Sequence, residues 1–265
     1  MSESGAPSRR FKAILQYDGT AYRGWQRQAD AVTVQAACEA SLEAIVGQPV
    51  GVVASGRTDT GVHARGQVVH FSAATRLTPA ELRRAWNARL PGDIWAARVG
   101  RAPADFHARF DAVARTYRYR LALGDHAGSP FVRRYSWPIE RALDWSLMYA
   151  MAAQLAGVHD FRRFAKGAPP ARPLAAGPPG ECTVLSARWR PTREGRALDI
   201  TADRFLRHMV RALVGALVAI GLGRASPAAL SAALRPGGER VRATYAPPQG
   251  LFLWHVGYSR RRDVS

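Results

Sequence analysis

Strand-length runs of alternating apolar residues recur along the whole chain, each closed by glycine, proline or a polar turn, with amphipathic helical runs set between them. This interleaving is what most limits the fold. Phe11 to Asp18 reads as a strand that ends in a turn at Asp18-Gly19. Val34, Ala37, Cys38, Leu42, Ile45 and Val46 recur at helical spacing, and Gly47 follows as a C-terminal cap. Gln67 to Ser72 returns to the strand pattern. Thr78-Pro-Ala-Glu81 then combines a capping box with proline at the first helical position. Ile94 to Val99, Arg115 to Leu123, Cys182 to Arg190, Ala197 to Ala202 and Leu251 to Tyr258 are further strands. Leu143, Leu147, Ala150, Met151 and Leu155 mark another helix, and a long one is expected to begin near Arg204. Gly167 to Gly180, GAPPARPLAAGPPG, holds neither ladder and reads as a loop. Strands interleaved with helices predict a mixed α/β or α+β chain, in two halves of residues 11–104 and 105–260, with no internal repeat in the sequence.

Charge points to the partner. The 265 residues carry 38 Lys plus Arg against 20 Asp plus Glu, a formal net charge of +18, so a polyanion, first of all nucleic acid, is expected. Lys12 and Lys166 are the lysines. A codon bias that swaps lysine for arginine leaves this cationic excess unchanged. Cys38 and Cys182 lie far apart with no CxxC, which suggests neither a disulfide framework nor a cysteine zinc site and fits a reducing cytoplasm. Residues 1–10 read as a disordered basic leader without an apolar signal core. The longest apolar run, Met209 to Gly223, is interrupted by Arg211 and too short to span a bilayer.

One stretch stands out chemically: SGRTDTGVHARGQVVHF, Ser55 to Phe71, sets the carboxylate of Asp59 among glycines beside Arg57. An aspartate in a Gly-flanked polar segment is most often a turn former or helix cap. Two features favour chemistry. Gly56 and Gly61 permit close backbone approach to a ligand, and Arg57 stands where a phosphate or a displaced base is met. A nearby cation also keeps a shielded carboxylate ionised, as a nucleophile requires. Near Arg204, a helix at about 100° per residue would gather Arg204, Arg207, His208 and Arg211 within an arc of about 100°. Arg211 would sit at the border of solvent and core, where a charge needs a partner. In RTYRYRL, strand alternation sends Tyr117 and Tyr119 to one face and Arg118 and Arg120 to the other. Arg76, Arg109 and Lys166 are candidate phosphate contacts. The histidines lack metal-ligand spacing, so no metal is expected, and His63 is read as hydrogen bonding within the Asp59 loop. Trp25 suits either stacking on RNA or burial beneath that loop.

The blocks YDGTAYRGWQRQ, SGRTDTGVHARGQVVHF, NARLPGD, FHARFDAVARTYRYRL, HDFRRF, FLRHMVRALVGALVAIGLG and APPQGLFLWHVGY, from about Phe11 to Tyr258, resemble the tRNA pseudouridine synthase A family. The resemblance implies an α+β fold of two halves around a shared, mainly antiparallel sheet, with an active-site cleft between them. It implies Asp59 as the nucleophile, paired with Arg211, while Arg57 assists base flipping and Tyr117 contacts the uracil. Tyr119 is left as a core aromatic. FHARF, meaning Phe106, His107, Ala108, Arg109 and Phe110, is implied to touch RNA. The implied reaction isomerises uridines 38–40 of the tRNA anticodon stem-loop, without a cofactor and in a cytoplasmic homodimer. Where the family usually has a Cys/Ser-rich segment ending in a tRNA-contacting threonine and arginine, this chain has KGAPPARPLAAGPPGECTVL, in which that arginine is missing or displaced: either Arg172 substitutes for it or the loop contacts a different part of the RNA.

Basic composition equally suits a non-catalytic RNA-binding or RNA-folding module. Against it stand Asp59, Tyr117 and Arg211 together, because phosphate binding has no use for a carboxylate that repels RNA. DNA binding is disfavoured by the lack of a helix-turn-helix or zinc finger.

Overall fold

The computed structural model describes residues 7–167, 180–239, 241 and 243–259. The chain forms two compact units, one of residues 1–113 with 253–265, the other of residues 114–252. Both mix helices with mainly antiparallel strands, an α+β fold.

The first unit contains β1 (Ser8–Tyr17), α1 (Val34–Val46), β2 (Val53–Ala54), β3 (His63–Ala74), α2 (Pro79–Asn87) and β4 (Ile94–Arg101). β1 lies between β4 and β3, antiparallel to both, and β2 pairs with β3. β1 begins inside the span read as a leader: Ser8, Arg9 and Arg10 pair with Ala74, Ala73 and Ser72, which corrects that reading for these three residues. Residues 1–6 lie outside the described residues. The register sets Phe11 opposite Phe71, with rings stacked at 5.5 Å, and Trp86 of α2 meets Phe71 edge-on at 5.3 Å. Burying such side chains stabilises the fold by roughly 1.5–3 kcal/mol each. α1 ends and α2 begins as their sequences dictate. Gly47 caps α1 in the left-handed region at φ 75, and Thr78 and Glu81 exchange the two bonds of a capping box on α2.

The second unit contains most of β5 (Ala112–Leu123), then α3 (Pro130–Arg133), β6 (Trp137–Ile139), α4 (Trp145–Ala153), β7 (Gly157–Asp160), β8 (Glu181–Thr192), β9 (Gly195–Ala202), α5 (Met209–Gly221) and α6 (Pro227–Ala233). β10 (Leu251–Tyr258) follows, and its residues from Leu253 onward return to the first unit, beside β3. Strand order in the second unit is β5-β9-β8-β7, with β6 parallel to β5. α4 buries Met148, Met151 and Ala152, whereas Leu147 is half-buried and Ala150 exposed. The face is turned because Met148 packs on Gly221 of α5, where a Cβ would lie 2.6 Å from its sulfur.

The helix expected from Arg204 starts later. His208 adopts φ 64, a left-handed conformation that ends any continuous helix, and α5 begins at Met209. Arg204 and Arg207 therefore belong to an irregular approach and form no helical stripe with Arg211. The Arg204 guanidinium donates to the Glu181 carbonyl, and the Arg207 carbonyl accepts the Lys166 N–H at 3.0 Å. Residues 168–179, most of the expected Pro/Gly-rich loop, lie outside the described residues. Among the described residues no helix is long and apolar enough to cross a membrane.

Candidate functional site

Asp59 sits on a loop between β2 and β3 that is held by the segment following β1. Gly19 and Gly24 of that segment approach so closely that side chains would not fit. A Cβ on Gly19 would lie 2.0 Å from the Val62 carbonyl oxygen, and one on Gly24, at φ +88, would lie 2.7 Å from that of Thr58. The Trp25 N–H donates to the Thr58 carbonyl at 3.0 Å, and the Gly61 N–H donates to that of Tyr22 at 3.3 Å. Beneath the loop, Thr58 Oγ1 lies 2.8 Å from the Tyr17 hydroxyl. Gln67 accepts from the Ser55 hydroxyl at 2.8 Å and donates to the Gly56 carbonyl at 2.7 Å. With Ser55, Thr58 and Gln67 all buried, these bonds form away from competing water.

Asp59 is thus half-buried on a backbone fixed from two sides, while Arg57 is exposed. Gly56 has open space where a side chain would be, and Gly61 takes φ 74. His63, fully buried at the start of β3, accepts the Gly19 N–H on Nδ1 at 3.0 Å, as the loop reading expects. Trp25 is buried beneath the loop, so of its two readings the structural one holds. Tyr22, also in this segment, donates to Asp93 at 2.5 Å; burial, reinforced by that carboxylate, pushes its phenol far up.

Tyr117 and Arg211 belong to the second unit. Tyr117, on β5 opposite Ile200 of β9, is half-buried and meets Phe205 edge-on at 5.0 Å. Arg118, on the other face, makes a bidentate pair with Asp199 at 2.6 and 2.7 Å. Arg211, in the first turn of α5, is half-buried. Its Nε donates to the Ala246 carbonyl at 2.7 Å, and the Ala246 N–H donates back to the Arg211 carbonyl at 3.0 Å. That reciprocal pair ties α5 to the segment before β10. The segment is gripped again by Tyr119, which is fully buried and donates to the Pro247 carbonyl at 2.8 Å. Gly250 lies against the same ring, where a Cβ would come within 2.7 Å of Tyr119 Cζ. Burial pushes the Tyr119 phenol well up, so it remains a donor. The sequence pattern of APPQG does not disclose this anchoring role. Its only signal is the adjacent Pro-Pro and Gly250, and the partner lies on β5, far away in sequence.

FHARF divides between core and surface. Phe106 and Ala108 are buried, His107 is half-buried, and Arg109 and Phe110 are exposed, Phe110 by 63%. Phe106 packs against Tyr258 at 5.4 Å, and Lys12 lies 4.2 Å from the centre of the Tyr258 ring. Arg76, just after β3, and Lys166 are exposed. Arg172 lies outside the described residues. Among the described residues no group of three or more His, Cys, Asp or Glu is placed to hold a metal ion.

The sequence matches the family model described as tRNA pseudouridine synthase over residues 13–111 and 151–259. It is 40% identical over 245 residues to tRNA pseudouridine synthase A of Chlorobium phaeovibrioides, covering 92% of this chain and 97% of that one. It is likewise 40% identical over 250 residues to the protein of that name from Moorella thermoacetica, covering 94% and 99%. A third relative of the same name, from Pseudothermotoga lettingae, is 39% identical over 251 residues, covering 94% and 100%. With the Asp59 loop and both flanking blocks inside the matched spans, the chain belongs to the tRNA pseudouridine synthase family, a family of isomerases.

Proposed function

We propose that this protein converts uridine to pseudouridine at positions 38–40 of the tRNA anticodon stem-loop, with Asp59 as nucleophile and Arg211 as its ionic partner. The reaction breaks the bond from uracil N1 to ribose C1′ and joins the same uracil through C5. The hydrogen displaced from C5 is balanced by one gained at N1, so nothing is oxidised and no cofactor is required by the stoichiometry. An ionised carboxylate serves attack on uracil C6 or ribose C1′, or removal of a ribose proton. In general, pairing a carboxylate with a guanidinium favours the charged form that a nucleophile needs.

The observation that carries this reading is the Asp59 loop itself. Two glycines without room for a side chain, and a buried set of hydrogen bonds, hold a carboxylate half-exposed in a protein of net charge +18. A surface built only to bind phosphate gains nothing from that arrangement. Displacing the target base from its stack costs a few kcal/mol, which phosphate contacts and stacking must offset. Arg57 is assigned to the displaced base, Tyr117 to the uracil, and the exposed Arg76, Arg109, Phe110 and Lys166 to RNA. We further read the active species as a homodimer, which light scattering at working concentration would show as twice the chain mass.

The test is to incubate unmodified tRNA with wild type and with Asp59→Ala, then map pseudouridine chemically. Wild type is expected to modify positions 38–40 and Asp59→Ala to modify none. Wild type that binds tRNA but forms no pseudouridine would overturn the enzymatic reading, and an active Asp59→Ala would remove Asp59 from the nucleophile's place.

A further inference from the structure

The turn from Phe106 to Asp111 is held by two imidazoles acting as hydrogen-bond acceptors. The N–H groups of Arg109 and Phe110 both donate to His107 Nδ1, each at 3.2 Å. The preceding N–H, of Ala108, donates to Nδ1 of His70 on β3 at 3.0 Å. Three successive backbone donors thus end on imidazole nitrogens. The turn closes on itself as well: the His107 N–H donates to Asp111 Oδ2 at 2.9 Å, and the Asp111 N–H to the His107 carbonyl at 3.0 Å. The Tyr258 hydroxyl donates to the Ala108 carbonyl at 2.7 Å.

A side chain that accepts from the N–H groups two and three residues ahead does what Asn or Asp usually does at a helix start or Asx turn. Nδ1 can accept only when it carries no proton, so the neutral Nε2–H tautomer is required at His107. Its ring is also occupied: Phe110 stacks on it at 4.2 Å and 24°, and His70 meets it at 4.7 Å. The two residues the turn presents outward are Arg109 and Phe110.

We infer that His107 is a positioning residue for tRNA binding, whose Nδ1 holds the turn that presents Arg109 and Phe110, and that it does not itself touch RNA. This rests on the tRNA-modifying reading above and revises the direct contact that the motif resemblance implies for His107. Burial holds both imidazoles below the usual histidine value, which keeps Nδ1 available as an acceptor at neutral pH.

The test measures tRNA affinity against salt concentration, with kcat and KM, for wild type, Arg109→Ala, His107→Ala, His107→Asn and His107→Gln. Asn carries its carbonyl oxygen near the place of Nδ1, whereas Gln reaches toward Nε2. Losing the Arg109 contact should lower the slope of log affinity against log salt by about one. His107→Ala removes no charge at neutral pH, yet is expected to lower the slope by a similar amount and raise KM several-fold, with kcat within about twofold of wild type. His107→Asn should restore the wild-type slope and His107→Gln should not. Rescue by Gln instead of Asn, or lost affinity at an unchanged slope, would mean that His107 meets RNA directly and overturn the inference. Unchanged affinity in all three His107 variants would overturn it too. If His107→Ala does not fold, as judged by thermal unfolding, the Asn and Gln pair decides. Wild type that fails to bind tRNA would sink the underlying reading, an outcome separate from any difference among variants.

Discussion

The Asp59 loop and the surroundings of Arg211 each hold a charged side chain half-buried, by opposite means. Around Asp59 the backbone is fixed first: Gly19, Gly24 and Gly61 let two loops interleave, and buried Thr58, Ser55 and Gln67 bond them together. The carboxylate follows from where its Cα lies. Around Arg211 the side chain is fixed directly, by Nε donating to Ala246, in a segment that Tyr119 grips from β5. A short side chain such as aspartate is placed well by its backbone alone. A long arginine loses much more rotamer freedom on ordering and needs an anchor along its length.

If this contrast is right, Arg211→Met should have the largest effect. Turnover is expected to fall about 100-fold, with tRNA affinity changed far less, in single-turnover and filter-binding assays. A fall in affinity with turnover preserved would make Arg211 a phosphate contact. Gly24→Ala probes the other region. Its Cβ must displace the Thr58 carbonyl at a strained φ, so a loss of about 1–3 kcal/mol in thermal unfolding and about tenfold lower turnover are expected. Normal activity and stability would show that the carboxylate does not depend on this packing.

Acid sharpens the comparison, because the first unit contains buried His70. Burial, then Arg10 and His107, lower its value from 6.5 to about 4, with Asp111 opposing. A histidine whose folded value is depressed gives stability that is complete above about pH 6.5 and is lost as pH falls through about 4. Amide protection at Ala108 is therefore expected to fall over that window and to fall less in His70→Asn, which keeps an acceptor near Nδ1. An equal fall in both would assign the acid sensitivity elsewhere. The smallest effect is expected of Tyr119→Phe, which removes the donor to Pro247 while keeping the ring. About 1 kcal/mol of stability and a several-fold loss of turnover should follow, partly offset by the retained Arg211 to Ala246 bond. Turnover matching wild type would show that the Ala246 bond alone suffices.

Local chemistry is legible in the sequence wherever partners lie close together along it. The Gly47 cap of α1 and the Thr78 to Glu81 box of α2 form as their spacing predicts, because each needs only residues within one helical turn. Ser8 to Arg10 are less legible, since a polar and basic run becomes strand only when Ala74, Ala73 and Ser72 are there to pair with it. The start of α5 departs from its sequence pattern for a related reason. Arg204 to His208 fit a helical period, but the Glu181 carbonyl and the left-handed His208 take the chain out of it. In FHARF, sequence alone does not separate buried Phe106 and Ala108 from exposed Arg109 and Phe110.

By itself, then, the sequence determined the interleaving of strands with helices, the helix caps, the glycine-rich setting of Asp59 and the cationic excess, all properties of neighbouring residues or of composition. Tertiary structure alone decided which loop crosses Asp59, what anchors Arg211, and which imidazoles hold the turn before Asp111. Those depend on hydrogen bonds between segments far apart along the chain, such as His70 with Ala108 and Tyr119 with Pro247. Such bonds form only once burial has excluded the water that would otherwise satisfy the same groups.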